Sequence, residues 1–315
     1  MSLDSDSKKW LTSRFKESVK FDEPMSRHTH FKVGGPADAF IAPESIPDLT
    51  QLVGWADSKA IPLLIIGNGT NLLVKNNGIR GIVVVLAKYT KKFSKKTEKN
   101  REVIITAPAG TKLYELCSFA IKSGLGGMNY AVGIPGTVGG AITMNAGTAH
   151  GSTEDVLEDV LIMLPDGKTK RINKSEINFS YRNLSFGKDI KIYQGRPIIL
   201  EGSFRLYPFD AATLKKEAEE ILRIRNKKQP VSFPSAGSFF KNPEQGKAAG
   251  RLIEKAGLKG KKIGGAQVSE KHANFIINTG GASASDILEL MEFIQETVFK
   301  TFNIKLEPEV KIVGS

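Results

Sequence analysis

The sequence predicts a protein of mixed helices and strands that is divided into more than one domain. Its 315 residues are enough for two or three domains, each with its own core. Short apolar runs typical of strands alternate with amphipathic stretches as far as Tyr207. A long charged helical stretch begins after that point. We therefore expect a domain boundary near Pro208.

Four stretches carry apolar residues at helical spacing, which predicts helices that each bury one face. Pro62 ends the first and Gly124 the second, and Ser283 with Asp286 predicts the start of the fourth. The side chains expected to face inward are, helix by helix, Leu49, Leu52, Val53 and Ala56; Leu113, Leu116, Cys117, Ala120 and Ile121; Leu214, Ala218, Ile221, Leu222 and Arg225; and Ile287, Leu290, Met291, Ile294 and Val298. Strands are predicted for the runs PLLIIG, GIVVVL, EVIITAP, VLIML and PIILEGSFRL.

The composition is that of an ordinary globular protein, with 40% hydrophobic and 25% charged residues. No apolar run approaches the roughly 20 residues that span a bilayer, and the first residues do not resemble a secretory signal. The single cysteine, Cys117, excludes an intramolecular disulfide and is predicted to lie in the core. We expect a cytoplasmic protein. With four histidines and one cysteine, no metal site is expected.

The net charge of +12 is compatible with nucleic acid, an anionic membrane surface or a small polyanionic ligand such as a nucleotide. The densest basic run, residues 88–101, lies between two predicted strands and is predicted to be a solvated hairpin loop. Neither zinc-finger cysteines nor an RNA-binding aromatic motif accompanies it. Charge alone therefore does not predict nucleic-acid binding.

Two glycine-rich stretches are candidates for ligand binding. Residues 67–71, GNGTN, follow a predicted strand, and glycines there let backbone N–H groups approach a pyrophosphate. This is not the dinucleotide fingerprint, because Leu72 stands where the third glycine belongs. Residues 133–147 contain no charged side chain, which favours backbone packed against a large flat ligand. The alternative for residues 67–71 is a plain tight turn. The alternative for residues 133–147 is a tightly packed loop that binds no ligand.

Several single residues are candidates as well. Ser238 stands between Gly237 and two phenylalanines, and Arg182 stands between a predicted strand and a polar loop. Glu309 lies in a C-terminal segment that alternates like a strand, so we expect this tail to join a sheet. The alternative for Arg182 and Glu309 is an ordinary surface charge, and for His272 a histidine at the edge of the core.

Taken together, these stretches resemble the UDP-N-acetylenolpyruvoylglucosamine reductase family. The resemblance runs from about residue 28 to the last residues and rests on the motifs HFKVGGPA, GNGTNLL, GIPGTVGGAITMNAG, YR, RNKKQP, GSFFKNP, AGRLIEKAGLKG, GGAQVSEKHANFIIN and LEPEV. Only the segment PEQGK separates Asn242 from AAGRLIE. The chain is therefore similar to the shorter type of the family, which lacks an insertion carrying a tyrosine at this point. A second departure is that Asn183 and Leu184 precede Ser185 after the arginine, where the family usually has a serine two residues on.

The resemblance implies an α+β fold. A two-part FAD-binding domain of the vanillyl-alcohol-oxidase type would be joined to a separate α+β substrate-binding domain. The implied divisions are an N-terminal extension at 1–21, a first FAD-binding subdomain at 22–88 with the C-terminal strand 304–315, a second subdomain at 89–207 and the substrate-binding domain at 208–303.

The resemblance also implies FAD held without a covalent bond, and NADPH as its reductant. The first glycine loop would take the pyrophosphate and the second would lie along the flavin. The implied cofactor-binding residues are Gly34, Gly35, Gly67, Asn68, Gly69, Thr70, Asn71, Leu72, Ile134, Pro135, Gly136, Thr137, Gly139, Gly140, Asn145, Ala146 and Gly147.

By the same resemblance, the flavin gives hydride to the enolpyruvyl double bond of a UDP-sugar, and Ser238 protonates the neighbouring carbon. Arg182 and Glu309 are its implied partners, which fits the negative charge that hydride addition builds on an acrylate. The implied substrate-binding residues are Tyr181, Lys228, Asn242 and His272. The resemblance implies no metal, nucleic acid, membrane or obligate protein partner.

Two other functions stay open at the level of sequence. A FAD-dependent oxidase of the same fold, acting on an alcohol or hydroxy acid, would share the glycine loops but would have no reason to keep GSFFKNP and LEPEV. A basic nucleic-acid-binding protein would rest on charge alone, and its binding would fall steeply with salt.

Overall fold

The first part of the chain forms a four-stranded sheet with helices against it. The structure is a computed structural model that describes residues 3–86, 93–97, 102–187, 190, 198–243 and 246–315. The elements of the first part are α1 (Ser5–Phe15), β1 (Val19–Pro24), β2 (Pro36–Ile41), α2 (Ile46–Ser58), β3 (Leu63–Ile66), β4 (Leu72–Val74) and β5 (Ile79–Val85). The sheet has the order β1-β2-β5-β3, in which only the β1–β2 pair is antiparallel. All four residues predicted for the buried face of α2 are buried.

The N-terminal extension belongs to this first part. In α1, the ring of Trp10 stacks on Trp55 of α2 with 4.1 Å between ring centroids, and Leu11 is fully buried. Val19 and Phe21, which the predicted division placed in the extension, pair with β2 as part of β1. The extension therefore packs against α2 and supplies the start of the sheet's edge strand.

The second part is built on an antiparallel sheet. Its elements are β6 (Ser94–Thr97), β7 (Val103–Pro108), α3 (Leu113–Lys122), β8 (Leu125–Gly126), α4 (Val138–Thr143), β9 (Gly147–Thr148), β10 (Gly151–Ser152), α5 (Thr153–Val156), β11 (Leu157–Met163), β12 (Thr169–Asn173), β13 (Ile177–Ser180), β14 (Asn183–Phe186) and β15 (Ile198–Pro208). The sheet has the order β12-β11-β15-β7-β6. Cys117 is buried in α3, as predicted, and its inward neighbours are buried apart from Ile121, which is half-buried.

The basic run at 88–101 was predicted to be a loop, and this is wrong for residues 94–97. These four residues form β6, which is exposed and pairs antiparallel with β7. The rest of the run lies outside the described residues, except for Phe93. Hydrogen bonding along the edge of a sheet does not require apolar side chains, and lysines are common on such edges.

The third part joins helices to a small sheet. Its elements are α6 (Ala211–Lys228), α7 (Ala249–Lys255), β16 (Lys262–Ile263), β17 (Ala266–Val268), β18 (Ile276–Asn278), α8 (Ala284–Phe302) and β19 (Lys311–Val313). Helix α8 starts at a capping box of Ser283 and Asp286 and buries every residue predicted to face inward. In α6, Leu214 and Ala218 are buried, whereas Ile221 and Arg225 are half-buried.

The prediction that Leu222 faces inward is wrong, since its side chain is 40% exposed. Leu222 lies beside Gly133 of the glycine-rich stretch. A glycine has no side chain with which to cover the leucine. Helical spacing therefore placed Leu222 on the correct face of α6, but the surface opposite it is too small to bury it.

The third part is not packed separately from the first. Phe31, Val33 and Leu73 belong to the same hydrophobic cluster as α7 and α8. The side chain of Asn278 donates a hydrogen bond to the Phe31 carbonyl at 2.9 Å. Strand β19 pairs in parallel with β4, so the C-terminal tail joins a sheet as predicted. This pairing brings the residues just before β19, including Glu309, next to the first glycine loop.

Candidate active site

The two glycine loops lie against each other. The hydroxyl of Thr70 donates to the carbonyl of Pro135 at 3.4 Å. A Cβ added to Gly136, whose φ is +127°, would lie 3.1 Å from the Thr70 hydroxyl. A Cβ on Gly67 would clash with the side chain of Thr137. The structure thus brings both predicted cofactor loops to one place, with glycine required where they meet.

The first loop rests on residues 28–30. The N–H of His30 donates to the Gly69 carbonyl at 3.1 Å, and the side-chain amide of Asn68 lies 3.3 Å from His30 Nε2. Gly69 has a φ of +61°, and a side chain there would clash with the carbonyl of His28. Neither histidine was among the predicted site residues. The sequence did offer a signal for His30, which is the first residue of the motif HFKVGGPA.

Gly34 and Gly35 have structural reasons to be glycine. A Cβ on Gly34, at φ +127°, would lie 2.8 Å from the Val74 side chain, and one on Gly35 would clash with the Asn76 carbonyl. The N–H of Gly35 also donates to the Lys75 carbonyl at 3.0 Å. Both glycines therefore let this segment pack against the turn after β4. Contact between them and a cofactor stays a prediction.

The first loop fits the pyrophosphate of a dinucleotide cofactor. Within the part of the chain that the structure describes, the N–H groups of Asn68, Gly69, Thr70 and Gly136 have no hydrogen-bond acceptor. Free backbone donors at a tight glycine turn are a common way to hold phosphate oxygens. The side chain of Leu72 is buried in β4, so only its backbone is available to a cofactor.

The far end of the second loop holds the hairpin of β13 and β14. The side chain of Asn145 donates to the Ser180 carbonyl at 3.3 Å, and its oxygen accepts from the N–H of Glu154 at 3.0 Å. The carbonyl of Gly147 accepts from Arg182 Nη2 at 3.1 Å. Asn145, predicted to bind the cofactor, is therefore engaged in fixing this hairpin to the loop.

Arg182 occupies the turn of that hairpin, next to Tyr181. Its φ is +58°, a left-handed conformation that costs a non-glycine residue roughly 1–2 kcal/mol. The guanidinium lies 4.9 Å from the centre of the Tyr181 ring, which is 50% exposed. Such strain persists where surrounding contacts fix the residue, often at functional sites. The contacts here are those to Gly147 and Glu309.

Glu309 forms an ion pair with Arg182. Arg182 Nε donates to Glu309 Oε1 at 2.8 Å, with the two side chains 21% and 15% exposed. Burial raises the pKa of Glu309 above its ordinary value, although Arg182 acts in the opposite direction. Neither residue is therefore an ordinary surface charge, which was the alternative for both.

Ser238 lies one residue from a backbone contact that also holds Glu309. The N–H of Glu309 donates to the Phe239 carbonyl at 2.8 Å, and Phe240 forms a β-bridge with Pro308. Both phenylalanine rings are buried in the core of the third part. Ser238 is half-buried. The structure therefore brings the segments of Ser238, Arg182 and Glu309 together.

Gly237 has open space beside it. Its φ is +80°, and apart from its two chain neighbours no atom of the described residues lies within 4 Å of the position that a Cβ would take. Asn274, which sequence reasoning missed, fixes the other side of the segment by accepting from the N–H of Phe240 at 3.0 Å and donating to its carbonyl at 2.8 Å. The serine is thus held on a fixed backbone next to a space that a ligand can enter.

Lys228 and His272 line a basic cleft of about 530 Å³. The other lining residues are Arg223, Ile224, Lys227 and Lys271. Burial lowers the pKa of His272, and its Nδ1 accepts from the N–H of Asn274 at 3.2 Å. Several cations around one cleft suit a diphosphate.

Asn242 has a structural contact of its own. Its side-chain oxygen accepts from the N–H of Ala249, the first residue of α7, at 3.0 Å, and the residue is exposed. Binding of substrate by Asn242 stays a prediction.

The described residues contain neither a candidate metal site nor a candidate membrane-spanning helix. No group of three or more histidine, cysteine, aspartate or glutamate side chains is arranged there to hold a metal ion. None of the helices in those ranges has both the length and the apolar character needed to cross a bilayer.

Two family profiles match the chain. One, described as "FAD binding domain", matches residues 37–173. The other, described as "UDP-N-acetylenolpyruvoylglucosamine reductase, C-terminal domain", matches residues 229–313. The first range contains both glycine loops, and the second contains Ser238 and Glu309.

Named relatives cover nearly the whole chain. A protein of Desulfosudis oleivorans named UDP-N-acetylenolpyruvoylglucosamine reductase is 47% identical over 312 residues, which are 99% of this chain and 100% of the relative. A protein of the same name from Clostridium botulinum (strain 657 / Type Ba4) is 46% identical over 297 residues, 94% of this chain and 93% of the relative.

Among solved structures, the UDP-N-acetylenolpyruvylglucosamine reductase of Thermus caldophilus is 31% identical, with a TM-score of 0.77 over 94% of this chain and 98% of that one. These matches confirm the predicted α+β fold, with a FAD-binding domain followed by a second domain. The protein is a FAD-dependent oxidoreductase, and its chain belongs to the UDP-N-acetylenolpyruvoylglucosamine reductase family.

Proposed function

We propose that this protein reduces the enolpyruvyl group of UDP-N-acetylglucosamine enolpyruvate to the lactyl ether of UDP-N-acetylmuramate, with NADPH as reductant, in the synthesis of peptidoglycan precursors. The observation that carries the proposal is the meeting of the Arg182–Glu309 ion pair with the Ser238 segment beside the two glycine loops. The names of the relatives that span the chain support the same substrate.

The first glycine loop would hold the cofactor at its pyrophosphate. The unpaired N–H groups of Asn68, Gly69 and Thr70 are the donors for this contact, and the second loop would lie along the flavin ring. When bound there, FAD would supply the redox chemistry, which is hydride transfer from NADPH to the substrate double bond. Contacts through backbone N–H groups and glycines hold the cofactor without a covalent bond.

Arg182 would stabilise the charge that develops on the substrate. Addition of hydride to an enol-ether acrylate places negative charge on the carboxylate and on the carbon beside it. A guanidinium has five N–H donors, and the contacts to Glu309 and Gly147 leave others for the substrate carboxylate. Removing one such donor typically costs about 2.7–4 kcal/mol of transition-state stabilisation. Glu309 would keep the guanidinium in place.

Ser238 would donate the proton to the carbon next to the site of hydride addition. The open space beside Gly237 gives substrate access to the hydroxyl, and the bonds of Asn274 to Phe240 fix the backbone that carries it. A positioned acid contributes roughly 10²–10⁴-fold to the rate. The hydroxyl would act in the transition state rather than in substrate binding.

The basic cleft would hold the diphosphate of the UDP-sugar. Lys228 and His272 line it, and with Tyr181 and Asn242 they form the proposed substrate-binding set. The exposed ring of Tyr181 lies beside Arg182, so it would contact substrate at the reacting end. A small-molecule substrate and NADPH would be the only partners of this site.

We propose a cytoplasmic enzyme that needs no obligate protein partner, nucleic acid or membrane. The proposed division follows the sequence expectation, with substrate binding in residues 208–303 and cofactor binding in 22–207 together with 304–315. The end of β15 at Pro208 and the start of α6 at Ala211 support a boundary there.

Anaerobic spectroscopy tests the function. NADPH should bleach the oxidised-flavin absorbance of the purified protein, and UDP-N-acetylglucosamine enolpyruvate should restore it with formation of the lactyl ether. A flavin that is instead reduced by an alcohol or hydroxy acid and reoxidised by oxygen, without response to the UDP-sugar, would make the protein an oxidase. A colourless protein that binds RNA would contradict both.

A further inference from the structure

The side chain of Asn71 contacts Glu309 and not only the loop that it belongs to. Its amide Nδ2 donates to the backbone carbonyl of Glu309 at 3.2 Å. The backbone carbonyl of Asn71 accepts from the N–H of Lys311 at 3.0 Å. Asn71 therefore makes two hydrogen bonds with the segment that carries the catalytic glutamate.

This contact extends the pairing of β4 with β19. The strands pair Leu72 with Lys311, and Asn71 comes directly before this pair in the chain. Glu309 is two residues before Lys311, so the regular ladder has ended where Glu309 stands. The side chain of Asn71 supplies the next hydrogen bond in place of a strand backbone.

The contact completes the backbone support of Glu309. Its N–H is bound to the Phe239 carbonyl, next to Ser238. Among the described residues, the side-chain amide of Asn71 is the donor to the backbone carbonyl of Glu309. With both backbone groups held, the direction in which the carboxylate leaves the chain is fixed, and it meets Arg182.

We propose that Asn71 is a positioning residue that aims the Glu309 carboxylate at Arg182, and that the first glycine loop thereby supports the catalytic pair as well as the cofactor. The expected effect of Asn71 on turnover rests on the proposed function. It replaces the expectation that the side chain of Asn71 serves only the cofactor.

The test compares Asn71→Ala with a matched asparagine. Asn76 lies just beyond β4, and its side chain also reaches the third part, accepting from the N–H of Ala284 at 2.9 Å and donating to Ser285 at 2.8 Å. Asn76→Ala thus removes contacts of the same kind that do not involve Glu309. Asn71→Gln keeps an amide donor on a longer side chain.

The expected result separates turnover from binding. A misplacement of about 1 Å can cost on the order of 10²-fold in rate, so kcat of Asn71→Ala should fall about 10- to 100-fold. KM and the FAD Kd, measured by flavin fluorescence, should stay within about threefold of wild type. Asn71→Gln should recover part of kcat, and Asn76→Ala should leave kcat unchanged. In a Glu309→Gln background, Asn71→Ala should add little further loss.

A titration of Glu309 tests the placement without turnover. Carboxyl-labelled glutamate, with Glu309→Gln to identify the signal, reports its pKa by NMR. Losing the contact with Arg182 should raise that pKa in Asn71→Ala but not in Asn76→Ala. A wild-type protein that does not turn over the UDP-sugar would contradict the proposed function, and this titration would still decide the role of Asn71.

The proposal is overturned if Asn71→Ala binds FAD more than about tenfold more weakly while the FAD-saturated variant keeps the wild-type kcat and an unchanged Glu309 titration. Asn71 would then be a cofactor contact alone. Equal loss of kcat in the Asn71 and Asn76 variants would also overturn it, since the effect would be one of general packing.

Discussion

Arg182 Nε donates a hydrogen bond to Glu309 Oε1 at 2.8 Å, although 127 residues separate the two in the chain. The second loop fixes the arginine through the Gly147 carbonyl, and the first loop reaches the glutamate through the side chain of Asn71. Both members of the ion pair are thus fixed to segments predicted to hold FAD. The segments proposed to bind the cofactor therefore also position the proposed catalytic ion pair.

Burial of Glu309 should make stability depend on pH, and the ion pair with Arg182 should limit that dependence. Burial places the folded-state pKa of Glu309 above its ordinary value, while Arg182 opposes the shift. A carboxyl with a raised folded pKa contributes stability that is fully present below its unfolded pKa and is lost as pH rises through the folded pKa. Arg182→Met removes the opposing charge, so the loss should become larger and extend to higher pH. Urea unfolding at about pH 5 and about pH 7.5 measures it.

The control for this prediction is Arg182→Met combined with Glu309→Gln. A glutamine does not titrate, so the additional pH dependence should disappear in the double variant. An Arg182→Met protein with the same pH dependence as wild type would show that Arg182 does not influence the charge of Glu309.

Ser238→Ala should separate the two halves of the reaction. Reduction of FAD by NADPH needs no proton on the substrate carbon, so it should proceed at nearly the wild-type rate. Reoxidation by the enolpyruvyl sugar should fall at least about 10²–10⁴-fold, with little change in substrate affinity. Ser238→Cys should recover part of the rate, because a thiol also donates a proton. Stopped-flow traces of each half-reaction that slow equally, or not at all, would make Ser238 a structural residue.

Gly237→Ala tests whether substrate uses the space beside Ser238. No atom in the described part of the chain would meet the new Cβ at φ +80°, so the stability cost should be that of a left-handed alanine, roughly 1–2 kcal/mol. KM for the UDP-sugar should rise, because the methyl group enters the proposed substrate space. FAD content should not change.

Gly257→Ala is the matched control. Gly257 follows α7 with φ +73° and also has no atom within 4 Å of its Cβ position. It should lose similar stability and keep the wild-type KM. If both variants change KM alike, the space beside Gly237 is not used by substrate.

The purified protein should be yellow and should release its flavin on mild denaturation. The loops offer backbone N–H groups for the pyrophosphate, which is a non-covalent form of binding. Acid precipitation followed by absorbance of the supernatant measures the release. Flavin that stays in the protein pellet would show a covalent bond and would contradict the assignment.

Local patterns in the sequence predicted the elements well. Helical spacing located α2, α3, α6 and α8, because residues three and four apart share one face of a helix. The capping residues Ser283 and Asp286 marked the start of α8, and glycines marked both loops. The resemblance of its motifs to a reductase family implied a FAD enzyme, which the matches to related proteins confirm.

Contacts between distant segments were decided only by the tertiary structure. Helical spacing placed Leu222 on the inner face of α6, but the size of the opposing surface at Gly133 left it exposed. The charged residues of β6 joined a sheet because strand pairing uses the backbone. The sequence placed Asn71 in a cofactor loop, but the parallel pairing of β4 with β19 brought its side chain to Glu309. Periodicity records the neighbours of a residue along its own helix or strand, whereas these contacts depend on the path of the whole chain.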